Sequence, residues 1–491
     1  MDYLNAWNKI STESIDLLLR SEAIRKVVLK KGNDMLYEHI VLVNEDQRPQ
    51  AIQEARFKLL QNLMHTLKDA IADGRLCAKV RKALLGNLIG RVVMDEKERT
   101  AAFRRLHGFL PPAFLTIGPT KRCNLMCTGC YAASSSDNAE TLSYEVFNRI
   151  IREKRELWGS HFTVITGGEP LLYRDGKHTL FDVLENNRDN FFMMYTNGTL
   201  ITKDMAERMA DCGNLIPAIS VEGYEKETDG RRGAGTFKRI MTAMENLRQA
   251  GVPFGVSITA TKNNADIVLS EEYVDFYFRD QGAMFGWIFQ YMPIGRSIST
   301  ELMITPEQRL ALFQRQQQII RETNIFLVDF WNGGLYSVGC LSAGRPGGYF
   351  YIDWNGNVAP CVFMPYYKEN VNDLYNQDKT LNDVLFSPYF RAIRNWQDSY
   401  SYGQPPDKVN NLITPCFLRD HFNQAFVTIQ NFQAKGLDEN AAEAIEDPEY
   451  CRKMAAYGQT VRDLTNEIWQ EEYLDQPKKR AAALTQKGNV H

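Results

Sequence analysis

The run Phe114-Leu-Thr-Ile-Gly-Pro-Thr-Lys-Arg-Cys123-Asn-Leu-Met-Cys127-Thr-Gly-Cys130 holds an apolar strand-like segment followed directly by three cysteines in a loop. Thiolates this close in sequence can converge on one metal centre, and thiolate donors select zinc, copper or iron–sulfur. A structural zinc site would normally close with a fourth Cys or His nearby. The closest histidines are His107 and His161, outside the loop. Three cysteines would leave one iron of a cubane open to a substrate or cofactor. Taken alone, the cysteines still admit zinc.

The pattern around this loop alternates strands and helices. Strand-like runs begin near Phe114, Phe162, Phe191, Leu215, Val252 and Phe285. Between them the spacing predicts helices over Tyr144–Trp158, Leu180–Asn187, Lys203–Cys212, Thr236–Ala250 and Glu271–Phe278, with another over Pro306–Glu322. Such alternation implies an α/β fold with a parallel sheet and helices outside it. Six units fit a partial (βα)6 TIM-like barrel, with functional residues at the carboxyl ends of the strands. Gly167-Gly168-Glu169-Pro170 stands at the end of the second strand. Two glycines there allow close backbone approach to a ligand, and the Glu169 carboxylate could hold an ammonium group.

These two motifs together resemble the radical S-adenosylmethionine (SAM) superfamily, with its CxxxCxxC and Gly-Gly-Glu-Pro signatures. The resemblance covers roughly residues 114 to 421 and is strongest to the SPASM/twitch branch, which adds a C-terminal auxiliary cluster. It implies a [4Fe–4S] cluster on Cys123, Cys127 and Cys130, whose open iron chelates SAM. Reductive cleavage of SAM would then give a 5′-deoxyadenosyl radical that abstracts hydrogen from an unactivated carbon. By match of motif, Gly167, Gly168, Glu169 and Pro170 would hold the methionine amino group. Thr196-Asn197-Gly198-Thr199 ends the third strand as the family's threonine-asparagine-glycine turn does. Ser220 and Glu222 end the fourth strand, facing the SAM ribose and methionine. Arg232 would pair with the SAM carboxylate, with Arg231 one register away. One position departs from the family: the residue before the third cysteine, commonly aromatic, is Gly129. Tyr131 or a side chain from Phe289–Tyr291 is expected to compensate.

A second set of cysteines lies further on. Gly356-Asn-Val-Ala-Pro-Cys361 reproduces the family's glycine-x4-cysteine hairpin, with Cys340 before it and Cys416 after it. The later cysteine run of a full SPASM domain is missing. The resemblance therefore implies one auxiliary [4Fe–4S] cluster on Cys340, Cys361 and Cys416. Its fourth site is either open or taken by Asp420, His421 or substrate. Cys77, Cys212 and Cys451 read as ordinary thiols.

The domain expectations follow. Residues 1–108 read as an N-terminal helical domain, with apolar helical spacing over Ile52–Ile71 and Val80–Val93. Residues 109–323 form the partial barrel, 324–435 the auxiliary cluster domain, and 436–491 a charged helical tail with a mobile end. Within the third segment, Ile325–Phe330 could be a strand of either domain. Tyr349–Asp353 and Val358–Val362 flank the hairpin signal Asn355-Gly356. A helix follows over Leu381–Trp396, then a loop over 400–406.

Nine cysteines, an odd number scattered over 491 residues, argue against a secreted disulfide framework. A net charge of -3 gives no sign of a nucleic-acid binder. Apolar runs fall short of a transmembrane segment. The expectation is a cytoplasmic chain, with peripheral membrane contact left open. A low-potential donor such as a ferredoxin or flavodoxin would supply the electron. The helical N-terminus and the dense aromatics from Trp331 to Tyr367 favour an apolar small-molecule or lipid substrate. A ribosomal-peptide maturase is the alternative, and an electron-transfer or binding protein that has lost the chemistry is the rival from another class.

Overall fold

The computed structural model describes residues 21–45, 47–86 and 96–474. The expected end of the Val80–Val93 helix and the expected mobile C-terminus lie outside these residues.

The six predicted strands are all present as β1 Phe114–Ile117, β2 Phe162–Ile165, β3 Phe191–Thr196, β4 Leu215–Val221, β5 Gly255–Ala260 and β6 Phe285–Gln290. They lie side by side in chain order and pair in parallel. A seventh strand, β7 Phe326–Asp329, continues the series beside β6. This settles the ambiguous run at Ile325–Phe330 in favour of the barrel sheet.

The hairpin expected to belong to a separate domain joins the same sheet at its opposite edge. Strand β8, Tyr351–Ile352, pairs in parallel with β1, and β9, Asn357–Ala359, folds back on it. Strand β10, Glu369–Asn370, completes the edge. The expected boundary at 323/324 therefore does not coincide with a break in the sheet. The ring of Tyr349, just before β8, stacks on Phe114 at 5.1 Å.

The helices on the outer face form for local reasons. Helix α1, Tyr144–Trp158, starts at Ser143, whose hydroxyl accepts from the Val146 N–H, and stops at Gly159 with φ 72°. These are the preferred N-cap and left-handed C-cap residues. Phe147, Ile150, Ile151 and Trp158 make its buried stripe. Helix α2, Pro306–Glu322, starts with a capping box between Thr305 and Gln308 and has proline in its first turn. The helix expected over Leu381–Trp396 divides into Leu381–Leu385 and Pro388–Gln397. Pro388 lacks the N–H needed to continue the first helix, and Ser387 caps the second. The loop expected at 400–406 begins three residues later, at Gly403, because a wide helical turn runs through Asp398–Tyr402.

The N-terminal helices are not a free-standing cap. Ala70, at the end of helix Gln50–Ala72, packs with Leu76, Val80 and Leu84 on Val164, Phe191, Met193, Ala218 and Phe285. Those strand residues share the face opposite Ile165, Phe192 and Ile219. Cys77 N–H donates to Gly251 O, just before β5, while Ile52 clusters with Leu335 and Val338 beside Cys340. Beyond the auxiliary region, helices Glu439–Glu446 and Pro448–Ile468 pack on the main core through Ala441, Ala444, Tyr450 and Met454. No helix among the described residues is long and apolar enough to cross a membrane.

Candidate functional site

The motifs converge at the carboxyl ends of β1 to β4. The cysteine loop leaves β1, and the Gly-Gly-Glu-Pro turn leaves β2 beside it. The turn is tied to that loop by its backbone: Gly168 N–H donates to Thr120 O and Glu169 N–H to Arg122 O, both at 2.8 Å. A Cβ on Gly168 would collide with the carbonyls of Lys121 and Arg122, and one on Gly167 would come within 2.6 Å of Thr120 O. The two glycines, expected to admit a ligand, let the turn seat against the backbone that carries the cysteines.

Glu169 is fully buried, and its carboxylate accepts three hydrogen bonds. Leu171 N–H and Thr196 Oγ1 donate to Oε1 at 3.1 and 2.8 Å, and Asn197 N–H donates to Oε2 at 2.8 Å. Burial nevertheless raises its pKa, since desolvation outweighs these donors. Asn197 also directs its amide at the Cys123 sulfur, 3.8 Å away. Thr196 and Asn197 therefore brace the carboxylate and the cysteine loop. Burial pushes the Cys123 thiol up to about 12.

Glu222 receives both arginines of the predicted pair. Arg231 Nη1 lies 2.5 Å from Oε1, and Arg232 Nε and Nη2 lie 2.8 and 2.5 Å from the same oxygen. Arg232 Nη1 is also 3.9 Å from the Cys127 sulfur. Burial pulls the Arg232 guanidinium down, but Glu222 and Cys127 outweigh it and hold its pKa above the usual value. So the side chain expected at a SAM carboxylate is already paired with Glu222. Among the described residues, Glu222 Oε2 and Arg231 Nε are buried with no hydrogen-bond partner. An orphaned acceptor and an orphaned donor beside three thiols fit a ligand that is both cationic and anionic, as SAM is. Ser220 is half-buried at the end of β4, paired in register with Ser257 of β5.

Gly129, at φ 64°, is covered by the ring of Tyr291, which occupies the space a side chain would take. Tyr131 does something else. Its hydroxyl meets Thr166 Oγ1 at 2.6 Å and accepts from Gly167 N–H at 3.1 Å, locking the Gly-Gly-Glu-Pro turn.

Cys340, Cys361 and Cys416 line one cavity together with Phe330, Trp331 and Phe363. Tyr349 OH lies 3.0 Å from the Cys361 sulfur, and the N–H groups of Phe363 and Arg419 donate to Cys361 and Cys416 at 3.4 and 3.3 Å. Burial pushes Cys361 up to about 12 and Cys416 well above the usual thiol value. Three converging sulfurs with N–H donors on them, in an apolar wall, suit an iron–sulfur cluster. Among the described residues, no group of three or more His, Cys, Asp or Glu side chains is spaced to hold a single metal ion.

The two acid–base residues named as fourth ligands are engaged elsewhere. Asp420 makes a fully buried pair with Arg309, at 2.5 and 3.0 Å, and accepts from Cys416 N–H at 3.0 Å. Arg309 holds the carboxyl below its usual pKa against the effect of burial. His421 Nε2 lies 3.0 Å from Thr414 O, and its ring packs against both Trp396 and Tyr400, which stack on each other. Sequence reasoning missed Tyr349, Arg309, Phe363 and Arg419 as site residues. Tyr349 and Phe363 lie in the aromatic-dense stretch Trp331–Tyr367, Arg419 stands three residues after Cys416, and Arg309 carries no such signal.

Comparison with known proteins agrees with this layout. The radical SAM superfamily model matches residues 117–267, and an iron–sulfur cluster-binding domain model matches 340–405. An AdoMet-dependent heme synthase of Methanosarcina barkeri is 25% identical over 290 residues, 53% of this chain and 80% of that one. The mycofactocin maturase MftC of Mycobacterium ulcerans is 27% identical over 318 residues, 60% of this chain and 81% of that one. The solved structure of Streptococcus suis SuiB bound to the precursor peptide SuiA is 19% identical, covers 61% of this chain and 71% of that one, and has a TM-score of 0.48. The chain is an enzyme whose cofactors are SAM, a SAM-binding [4Fe–4S] cluster and a second, auxiliary [4Fe–4S] cluster. It belongs to the radical SAM superfamily, in the SPASM/twitch-like branch that carries an iron–sulfur domain after the barrel.

Proposed function

We propose that this enzyme abstracts hydrogen from an unactivated C–H bond of an apolar group seated between its two cysteine sites. The observation that carries the reading is the position of Phe363. Its ring lies 5.9 Å from Tyr131, the neighbour of Cys130, and 4.7 Å from Trp331, which lines the second cavity. Phe289 and Phe330 complete the wall at 5.5 and 5.3 Å. Apolar walls with a few polar groups are the usual lining of small-ligand sites.

Cys123, Cys127 and Cys130 would hold the SAM-binding cluster, and Cys340, Cys361 and Cys416 the auxiliary one. When bound, cluster and SAM supply a 5′-deoxyadenosyl radical, chemistry that no side chain provides. The chain's own residues orient and shield. Glu169, fixed by Thr196 and Asn197, would take the methionine ammonium next to Gly167, Gly168 and Pro170. Glu222 Oε2 and Arg231 Nε would meet the rest of the ligand's polar groups, with Ser220 near the ribose and Arg232 holding Glu222 and Cys127 in place. The aromatic wall excludes water from the reacting carbon. We place the reaction in the cytoplasm, with a ferredoxin or flavodoxin as electron source.

An aliphatic lipid chain is one group that such a wall accepts, and it would require contact with a membrane surface. The relative named as a maturase favours a second carrier, a precursor peptide. The test is anaerobic reconstitution with dithionite and SAM. Release of 5′-deoxyadenosine is expected, with deuterium arriving in it from a labelled peptide or a labelled lipid according to the carrier. No release under any of these conditions would return the chain to the electron-transfer class.

A further inference from the structure

Arg419 is completely buried, with the same 0% exposure as its neighbour Asp420. Asp420 is paired with Arg309, but Arg419 faces no carboxylate in that way. Its guanidinium lies between two rings, 5.1 Å from the centre of Trp331 and 4.9 Å from that of Tyr457. Nη2 donates to Tyr457 OH at 3.0 Å. Among the described residues, Nε and Nη1 have no partner, and neither does the indole N–H of Trp331.

An isolated buried charge is expensive, and a chain that keeps one has something to offset it. The place of Arg419 says what that is. Its own N–H donates to the Cys416 sulfur, and the ring it stacks on lines the cavity shared by Cys340, Cys361 and Cys416. Three thiolates around a cubane leave net negative charge in both the 2+ and the 1+ core states, the couple at issue here. The paired Arg309 and Asp420 cancel each other, which leaves Arg419 and the buried Arg345, a donor to Cys340 O, as the positive charges beside that set.

We infer that Arg419 is a built-in counter-charge of the auxiliary cluster, raising its reduction potential and stabilising its anionic ligand set. This rests on the assignment of Cys340, Cys361 and Cys416 to that cluster. Arg419 is a positioning residue rather than a catalytic one, since it acts through the cluster's field. A positive charge fixed beside a redox centre favours the reduced, more negative form, so its removal lowers the potential. The same removal relieves the cluster-free chain of an uncompensated charge.

The experiment compares reconstituted wild type, Arg419→Gln and Arg419→Lys by iron content, redox titration followed by electron paramagnetic resonance, and melting of the cluster-free chain. In Arg419→Gln the auxiliary signal should titrate at lower potential while the SAM-cluster signal stays in place. Arg419→Lys should return toward wild type, and the cluster-free Arg419→Gln chain should melt higher. Loss of the auxiliary cluster in Arg419→Gln but not in Arg419→Lys would also support the charge. An unmoved potential in Arg419→Gln, or equal shifts or equal loss in both variants, overturns the inference. A Cys340→Ala variant separates the two questions. If it keeps about eight irons, two cubanes' worth, the cluster assignment itself fails. If it drops to about four while Arg419→Gln changes nothing, only the role of Arg419 fails.

Discussion

The ring of Tyr291 lies against the Cα of Gly129, in the volume that a Cβ on residue 129 would enter. Tyr291 is held there from both ends: its N–H donates to Ala260 O, and its hydroxyl lies 3.1 Å from both Ser297 O and Ser299 O, which share its one proton as acceptors. The family's usual aromatic before the third cysteine is thus replaced by one delivered from the end of β6.

Gly129→Ala is therefore expected to damage the cysteine loop twice. A left-handed backbone costs an alanine roughly 1–2 kcal/mol, and the new methyl meets the Tyr291 ring. The variant should reconstitute with less iron on the Cys123, Cys127 and Cys130 loop. Removing the ring as well, in Gly129→Ala/Tyr291→Ala, should recover part of that iron, because only the backbone cost remains. Full iron content in the single variant would show that the ring and the glycine are independent.

Arg309 and Asp420 give a second test, since the carboxylate was first a candidate ligand. Removing one partner of a buried pair leaves an uncompensated charge and costs about 3–5 kcal/mol. Arg309→Met should be destabilised by that order in chemical denaturation of the reconstituted protein. A double variant with Asp420→Leu should regain most of it, giving a large coupling energy in the cycle. Asp420→Asn should keep its auxiliary cluster. Loss of that cluster's iron in Asp420→Asn alone would make the carboxylate a ligand after all.

The six strands and the helices Tyr144–Trp158, Lys203–Cys212, Thr236–Ala250 and Pro306–Glu322 were legible because their apolar spacing is unbroken, and Ser143, Thr202 and Thr305 cap three of the four helices at their starts. Leu381–Trp396 ran together because its apolar spacing carries across Ser387-Pro388, and only the proline marks the break. The hairpin at Asn355-Gly356 was legible too, but its attachment to β1 was not. Pairing between Ile117 and Ile352 is a long-range choice with no local signal. The site divides in the same way. Cysteines and the Gly-Gly-Glu-Pro turn carry their chemistry in their spacing. The closure of Arg231 and Arg232 on Glu222, and of Asp420 on Arg309, depends on where side chains meet in three dimensions.

Asp353 makes the fold sensitive to pH at that hairpin. Its Oδ1 accepts from Asn355 N–H and Asn357 N–H at 2.9 and 2.8 Å, yet burial lifts its pKa from the usual 3.8 to about 6. A carboxyl that protonates more easily folded than unfolded makes the native state bind the extra proton between those two values. Stability should therefore fall as pH rises from about 4 to about 6, by up to roughly 3 kcal/mol for two pKa units, and then level off. Asp353→Asn should flatten this part of the curve in urea melts taken at several pH values. An unchanged slope would assign the pH dependence to other groups.

Glu222 offers the sharpest test of the SAM site, because its two oxygens have different work. Oε1 takes three nitrogens from Arg231 and Arg232, and Oε2 is buried with none. Glu222→Gln keeps an oxygen for the arginines and turns the other position into a donor. Neither cysteine set is touched, so iron content should stay near wild type. A hydrogen bond to a charged group is worth about 1.5–3 kcal/mol, and roughly 1.4 kcal/mol is a factor of ten. SAM should accordingly bind about ten- to a hundredfold more weakly, read by equilibrium dialysis without a reductant. Glu222→Ala should do worse, because it also strands both arginines and frees Arg232 from its place beside Cys127. Wild-type SAM affinity in Glu222→Gln would mean that Oε2 does not meet the ligand, and the orphaned oxygen would need another partner.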